Sequence, residues 1–190
     1  MRRPIRYLFL VLGAFAGVAT AALNEGDAAP DFTATAYLAG EPFQYRLADA
    51  LARGPVVVYF FPAAHTPGCN VEARLFSEAI DEFKAEGASV IGLTAGNIDE
   101  LADFSKETEH CGGKFPVAAD PDAAIARQYD ALLTLRPGWS QRTSYVIAPD
   151  GHVAHVYTAL DPKYHVREML DGVKSLKPVA ATDAAQPATD

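Results

Sequence analysis

The chain has 190 residues, of which 49% are hydrophobic and 21% charged, as expected for one soluble globular domain with material for a real core. Acidic residues outnumber basic ones by 24 to 16, and a surface of that sign repels phosphate backbones, so nucleic acid is not an expected partner. The two cysteines, Cys69 and Cys111, form no CxxC pair and no Cys/His set at zinc spacing, so no metal or other cofactor is expected.

Residues 1–21 read as a secretory signal. Arg2, Arg3 and Arg6 form a basic start, and Tyr7 to Ala19 is an apolar stretch too short for a comfortable membrane span. Ala19-Thr20-Ala21 offers a small-x-small cleavage site before Ala22; an uncleaved anchor is the alternative. Removal leaves 13 basic against 24 acidic residues and a net charge of −11. The expected location is an exported compartment, the bacterial periplasm, with no stable membrane insertion after cleavage. Disulfides can persist there.

Residues 22–177 alternate strand and helix patterns, which argues an α/β domain with a thioredoxin-like central mixed sheet flanked by helices. Phe32 to Leu38 and Phe43 to Leu47 form a possible hairpin. Pro55 to Phe61 contains an unbroken β-branched and aromatic run, the pattern of a strand buried on both faces. A helix follows at once, with Thr66 as N-cap and Pro67 at the first helical position. Its expected buried face is Val71, Leu75, Phe76, Ala79, Ile80 and Phe83, and Gly87 stops it.

Ser89 to Leu93 is the next strand. Asn97-Ile-Asp-Glu100 resembles a capping box, opening a helix that runs to Gly112-Gly113. A short strand (115–118) and a short helix (121–129) come next. Thr143 to Ile147 and His152 to Tyr157 flank the turn Pro149-Asp150-Gly151. Asp161-Pro162 starts a last amphipathic helix through Val166, Met169, Leu170 and Val173. Residues 178–190 read as a disordered tail.

The segment richest in chemistry is Pro62-Ala-Ala-His-Thr66-Pro-Gly-Cys69, at the carboxyl end of the buried strand, where open α/β sheets place ligands. With Thr66 as N-cap, Cys69 lies in the first helical turn. Unpaired N–H groups and the helix dipole there favour a thiolate. Gly68 leaves the approach to the sulfur open. His65 reads as a surface residue. His152 and His155, three apart on a strand, point to opposite faces, so a shared metal is not expected.

These residues resemble the peroxiredoxin family. Pro62, Thr66 and Cys69 meet its Pro-x-x-x-Thr-x-x-Cys signature. Thr66-Pro-Gly-Cys69 with Glu72 resembles its bacterioferritin-comigratory, or peroxiredoxin Q, branch. Ala29-Pro30-Asp31-Phe32 and Arg142-Thr143-Ser144 are similar as well, so the likeness spans about residues 25–176. It implies a thiol-dependent peroxidase acting on hydrogen peroxide or organic hydroperoxides, with Cys69 as the peroxidatic cysteine becoming a sulfenic acid. It implies Thr66, the Cys69 backbone N–H and Arg142 as groups that orient peroxide and receive developing charge, and Pro62 as a shield. Glu72 is a possible support for an arginine. The implied partners are a peroxide and a thiol reductant, the assembly a monomer or homodimer.

The branch's resolving position, five residues after Cys69, is Arg74 here. Cys111 is the remaining candidate. As the end of a continuous helix from Asp99 it would lie about 18 Å along the axis, and resolution would need local unwinding. A one-cysteine peroxidase reduced by an outside thiol is the alternative. Two other functions remain open at this level: an exported thiol–disulfide oxidoreductase, which lacks its usual second close cysteine, and a non-catalytic binding module.

Overall fold

The computed structural model describes residues 22–136 and 138–176. The expected signal segment (1–21) and tail (178–190) lie outside the described residues. Seven strands form one mixed sheet: β1 (Thr33–Leu38), β2 (Glu41–Arg46), β3 (Val56–Phe60), β4 (Ser89–Thr94), β5 (Val117–Ala119), β6 (Thr143–Ile147) and β7 (Val153–Thr158). Their order across the sheet is β2-β1-β5-β4-β3-β6-β7. β3 runs parallel to β4 and antiparallel to β6. Among the described residues five α-helices cover it: α1 (Leu47–Leu51), α2 (Pro67–Ala85), α3 (Leu101–Lys106), α4 (Ala124–Gln128) and α5 (His165–Ser175).

The unbroken apolar run in β3 explains the two-sided architecture. Successive strand side chains point to opposite faces. Val57, Tyr59 and Phe61 join the core under α2, α3 and α5. Val56, Val58 and Phe60 join a second core with Leu47 and Ala50 of α1 and Ala126 of α4. Five consecutive β3 residues are buried as a result. Among the described residues no helix is long and apolar enough to cross a membrane.

Four expectations need correction. Val71 is 43% exposed and not part of the buried face of α2. That face follows Cys69, Glu72, Ala73, Phe76, Ile80 and Phe83, and the charged Glu72 hid its phase. Asn97 takes a left-handed conformation and makes no side-chain cap; its amide donates to the Ala64 carbonyl at 2.9 Å instead. The helix expected to reach Gly112 ends at Lys106, and the chain then folds back through turns to Phe115. The helix expected at 121–129 is split, because Asp122 and Ala123 adopt positive φ. Asp120 accepts from the backbone N–H groups of Ile125 and Ala126 at 2.9 and 2.8 Å, and so caps the second piece.

Candidate active site

Strand register assembles the site. Phe60, the last residue of β3, faces Thr143, the first of β6. Arg142 therefore sits beside the segment that leaves β3 and enters α2. Its Nη2 lies 3.5 Å from Cys69 Sγ. Its Nη1 donates to Glu72 Oε2, and its Nε donates to the Leu160 carbonyl at 3.1 Å. Three directions are thus fixed, and the guanidinium is held with its free edge toward the sulfur.

Gly68 makes this approach possible. A Cβ on residue 68 would stand 3.0 Å from Arg142 Nη2, inside ordinary contact distance. Glu72 and Arg142 are almost fully buried, at 0% and 6% exposure. Burial pushes the Glu72 carboxyl up to about 8, against the downward pull of Arg142. Burial also opposes the Arg142 charge, but Glu72 and Cys69 outweigh it and keep the guanidinium protonated.

Thr66 is the N-cap residue by backbone conformation, as expected, yet its hydroxyl does not cap the helix. It donates to the Ala63 carbonyl at 3.0 Å. Its oxygen therefore keeps lone pairs for an outside donor, and the first-turn N–H groups keep their own capacity. Pro62 is half-buried beside this turn, and its carbonyl accepts from Thr94 Oγ1 at 3.0 Å.

His165 is a member of this neighbourhood that the sequence did not reveal. It is fully buried, with Nε2 3.0 Å from the Ala159 carbonyl and Nδ1 2.8 Å from Ser144 Oγ. A carbonyl only accepts, so Nε2 carries the proton and Nδ1 accepts from the serine. Glu72 Oε1, 3.6 Å from Nδ1, receives nothing from this ring. Burial holds His165 down at about 4, so it stays neutral and brings no second positive charge to Glu72. Its only sequence cue is the Asp161-Pro162 start before it, which marks a helix and not a buried imidazole.

Cys69 and Cys111 are both unbridged, at 1% and 0% exposure, and belong to the same core cluster. The distance expected along a continuous helix does not apply, because α3 ends five residues before Cys111. The returning chain sets the His110 ring 5.3 Å from that of His65, four residues before Cys69. Burial, aided by Glu107, pushes the Cys111 thiol well up. Tyr59 belongs to the same core cluster, with a buried hydroxyl that has no partner. Burial raises its titration, and Cys111, Glu72 and Cys69 add to the shift.

The AhpC/TSA family profile matches residues 25–156. The chloroplastic peroxiredoxin Q of Oryza sativa subsp. japonica is 29% identical over 155 residues, covering 81% of this chain and 68% of the relative. Peroxiredoxin Bcp of Xanthomonas campestris pv. campestris is 26% identical over 125 residues, covering 63% and 76% respectively. The crystal structure of peroxidoxin BcpB from Mycobacterium tuberculosis superposes with a TM-score of 0.71 at 28% identity, covering 80% of this chain and 97% of that one. Fold and likeness together define a thiol peroxidase on a thioredoxin-like sheet. The chain belongs to the AhpC/TSA family.

Proposed function

We propose that Cys69 is the peroxidatic thiol, acting on hydrogen peroxide and small organic hydroperoxides, and that Cys111 resolves it. The observation that carries the first part is the 3.5 Å approach of Arg142 Nη2 to Cys69 Sγ at the head of α2. The thiolate sulfur attacks one peroxide oxygen, the S–O bond forms and the O–O bond breaks. The sulfur becomes a sulfenic acid, and the departing oxygen takes a proton to leave as water or alcohol. Arg142 and the Cys69 N–H meet the charge that develops on that oxygen. Thr66 Oγ1 accepts from the peroxide O–H and sets its angle. Pro62 screens the sulfur from bulk water.

Resolution follows by attack of the Cys111 sulfur on the sulfenic sulfur. The disulfide forms and the hydroxyl leaves as water. The fold-back of the chain after α3, and membership of one core cluster, support this pairing. Both sulfurs are buried, so the first turn of α2 and the turns around Cys111 open for it. An outside dithiol then reduces the disulfide. The basic start and apolar stretch of residues 1–21 support an exported setting for this cycle.

Rapid-mixing measurement of peroxide consumption tests the reading. Cys69→Ser is expected to lose all turnover, and a wild type no faster than a free thiol overturns it. Non-reducing mass analysis after one equivalent of peroxide is expected to show a 69–111 linkage. A stable Cys69 sulfenic acid or a mixed disulfide without that linkage defeats the role of Cys111.

A further inference from the structure

His110 enters the sequence as a histidine without partner ligands. Folding supplies them. The loop from β3 to α2 brings His65, and the turn after α3 brings Glu107 and His110. One donor atom from each lies within 4.8 Å of the others. Glu107 Oε2 stands 2.8 Å from His110 Nδ1 and 3.8 Å from His65 Nδ1. Donors around a tetrahedral zinc with ~2.0–2.1 Å bonds are about 3.3 Å apart. The triangle therefore needs only a small contraction to hold such an ion.

Four features mark this as a built arrangement. The His110 side chain is 8% exposed, and its Nδ1 is buried without a hydrogen bond although Glu107 Oε2 stands beside it. Both rings are fixed by Phe104, which meets His65 edge-on at 5.3 Å and leans on His110 at 4.9 Å. His65 reaches the cluster from a positive φ of 57°, uncommon for a residue with a side chain. Its far nitrogen, Nε2, faces Glu100 Oε2 at 3.9 Å. A carboxylate behind a ligating imidazole is the usual arrangement that orients the ring and raises its basicity.

We propose that His65, Glu107 and His110 form a binding site for one divalent transition cation of the zinc type, with Glu100 orienting His65. Two imidazoles and one carboxylate suit such an ion; calcium and magnesium seek oxygen donors. Three protein ligands leave a fourth position for water. The cation joins the loop ahead of Cys69 to the turn that carries Cys111, so its occupancy ties together two segments that are separate in sequence.

Titration of the reduced full chain with Zn²⁺ and Co²⁺ tests the site by calorimetry and visible spectroscopy. One ion per chain is expected, and Co²⁺ should give d–d bands without a sulfur charge-transfer band. The melting temperature should rise with Zn²⁺. Cys69→Ser/Cys111→Ser is expected to bind as wild type does. His110→Gln and His65→Asn should weaken binding about 100-fold, and Glu100→Gln about tenfold. Asparagine tolerates positive φ, so His65→Asn keeps the loop, and circular dichroism and unliganded melting check the fold of each variant. Absence of one-to-one binding, binding indifferent to both histidine variants, or binding lost with the cysteines each overturns the proposal.

Discussion

At the residue scale the site turns on one guanidinium with three fixed contacts. Removal of Glu72 and removal of Arg142 should have different effects. Glu72→Gln keeps an oxygen that accepts from Nη1, and burial already holds the carboxyl up at about 8, so the amide is a close mimic. Its peroxide rate is expected to stay within several-fold of wild type. Glu72→Ala leaves a buried guanidinium without its partner, at a cost of about 3 kcal/mol or roughly 10 °C in Tm. Arg142→Ala removes a donor to the developing oxyanion and should slow sulfenic acid formation about 100-fold. Stopped-flow kinetics beside thermal melts separates these effects, and a Glu72→Gln variant as slow as Arg142→Ala contradicts the positioning argument.

At the scale of elements, the first turn of α2 sets reactivity against helix preference. Glycine costs a helix about 1 kcal/mol relative to alanine, yet Gly68 stands where a Cβ would press on Arg142 Nη2. Gly68→Ala is expected to leave Tm unchanged or slightly higher while the peroxide rate falls at least about tenfold. An unchanged rate would mean that Arg142 adjusts freely. Much of this turn was legible in the sequence. Thr66-Pro67 starts the helix, and β3 declares itself by an apolar run with no alternation. The rest depended on tertiary choices. Asn97 and Glu100 look like a cap, but the Asn97 amide has a better use on the Ala64 carbonyl. Glu72 breaks the apolar phase of α2 because it is buried for Arg142, which lies 70 residues away. The short α1 follows a strand directly and has too few turns to show a period.

At the scale of the whole molecule, stability carries the signature of one fully buried histidine. His165 has its value depressed from 6.5 to about 4 by burial, so the fold selects the neutral ring. Its contribution is complete above pH 6.5 and is lost as pH falls toward 4, at about 1.4 kcal/mol per pH unit and about 3 kcal/mol in all. Glu72 acts in the opposite sense: its raised value means stability lost as pH rises from 4.5 through about 8. Comparing melts of wild type and His165→Gln from pH 4 to 7 cancels the Glu72 contribution. Wild type should lose stability more steeply than the variant on acidification. Parallel curves would mean that His165 titrates alike in both states.

The guanidinium of Arg142 also has a bookkeeping consequence once the sulfur is oxidised. It serves two neighbours on one helix, Cys69 in the first turn and Glu72 in the next. A sulfenic acid is neutral and surrenders its share, and Glu72 remains as the guanidinium's partner on that helix. The turn ahead of Glu72 then loses its tie to Arg142, while the turn that carries Glu72 keeps its own. Oxidation thus marks where α2 is free to fray and where the fraying halts.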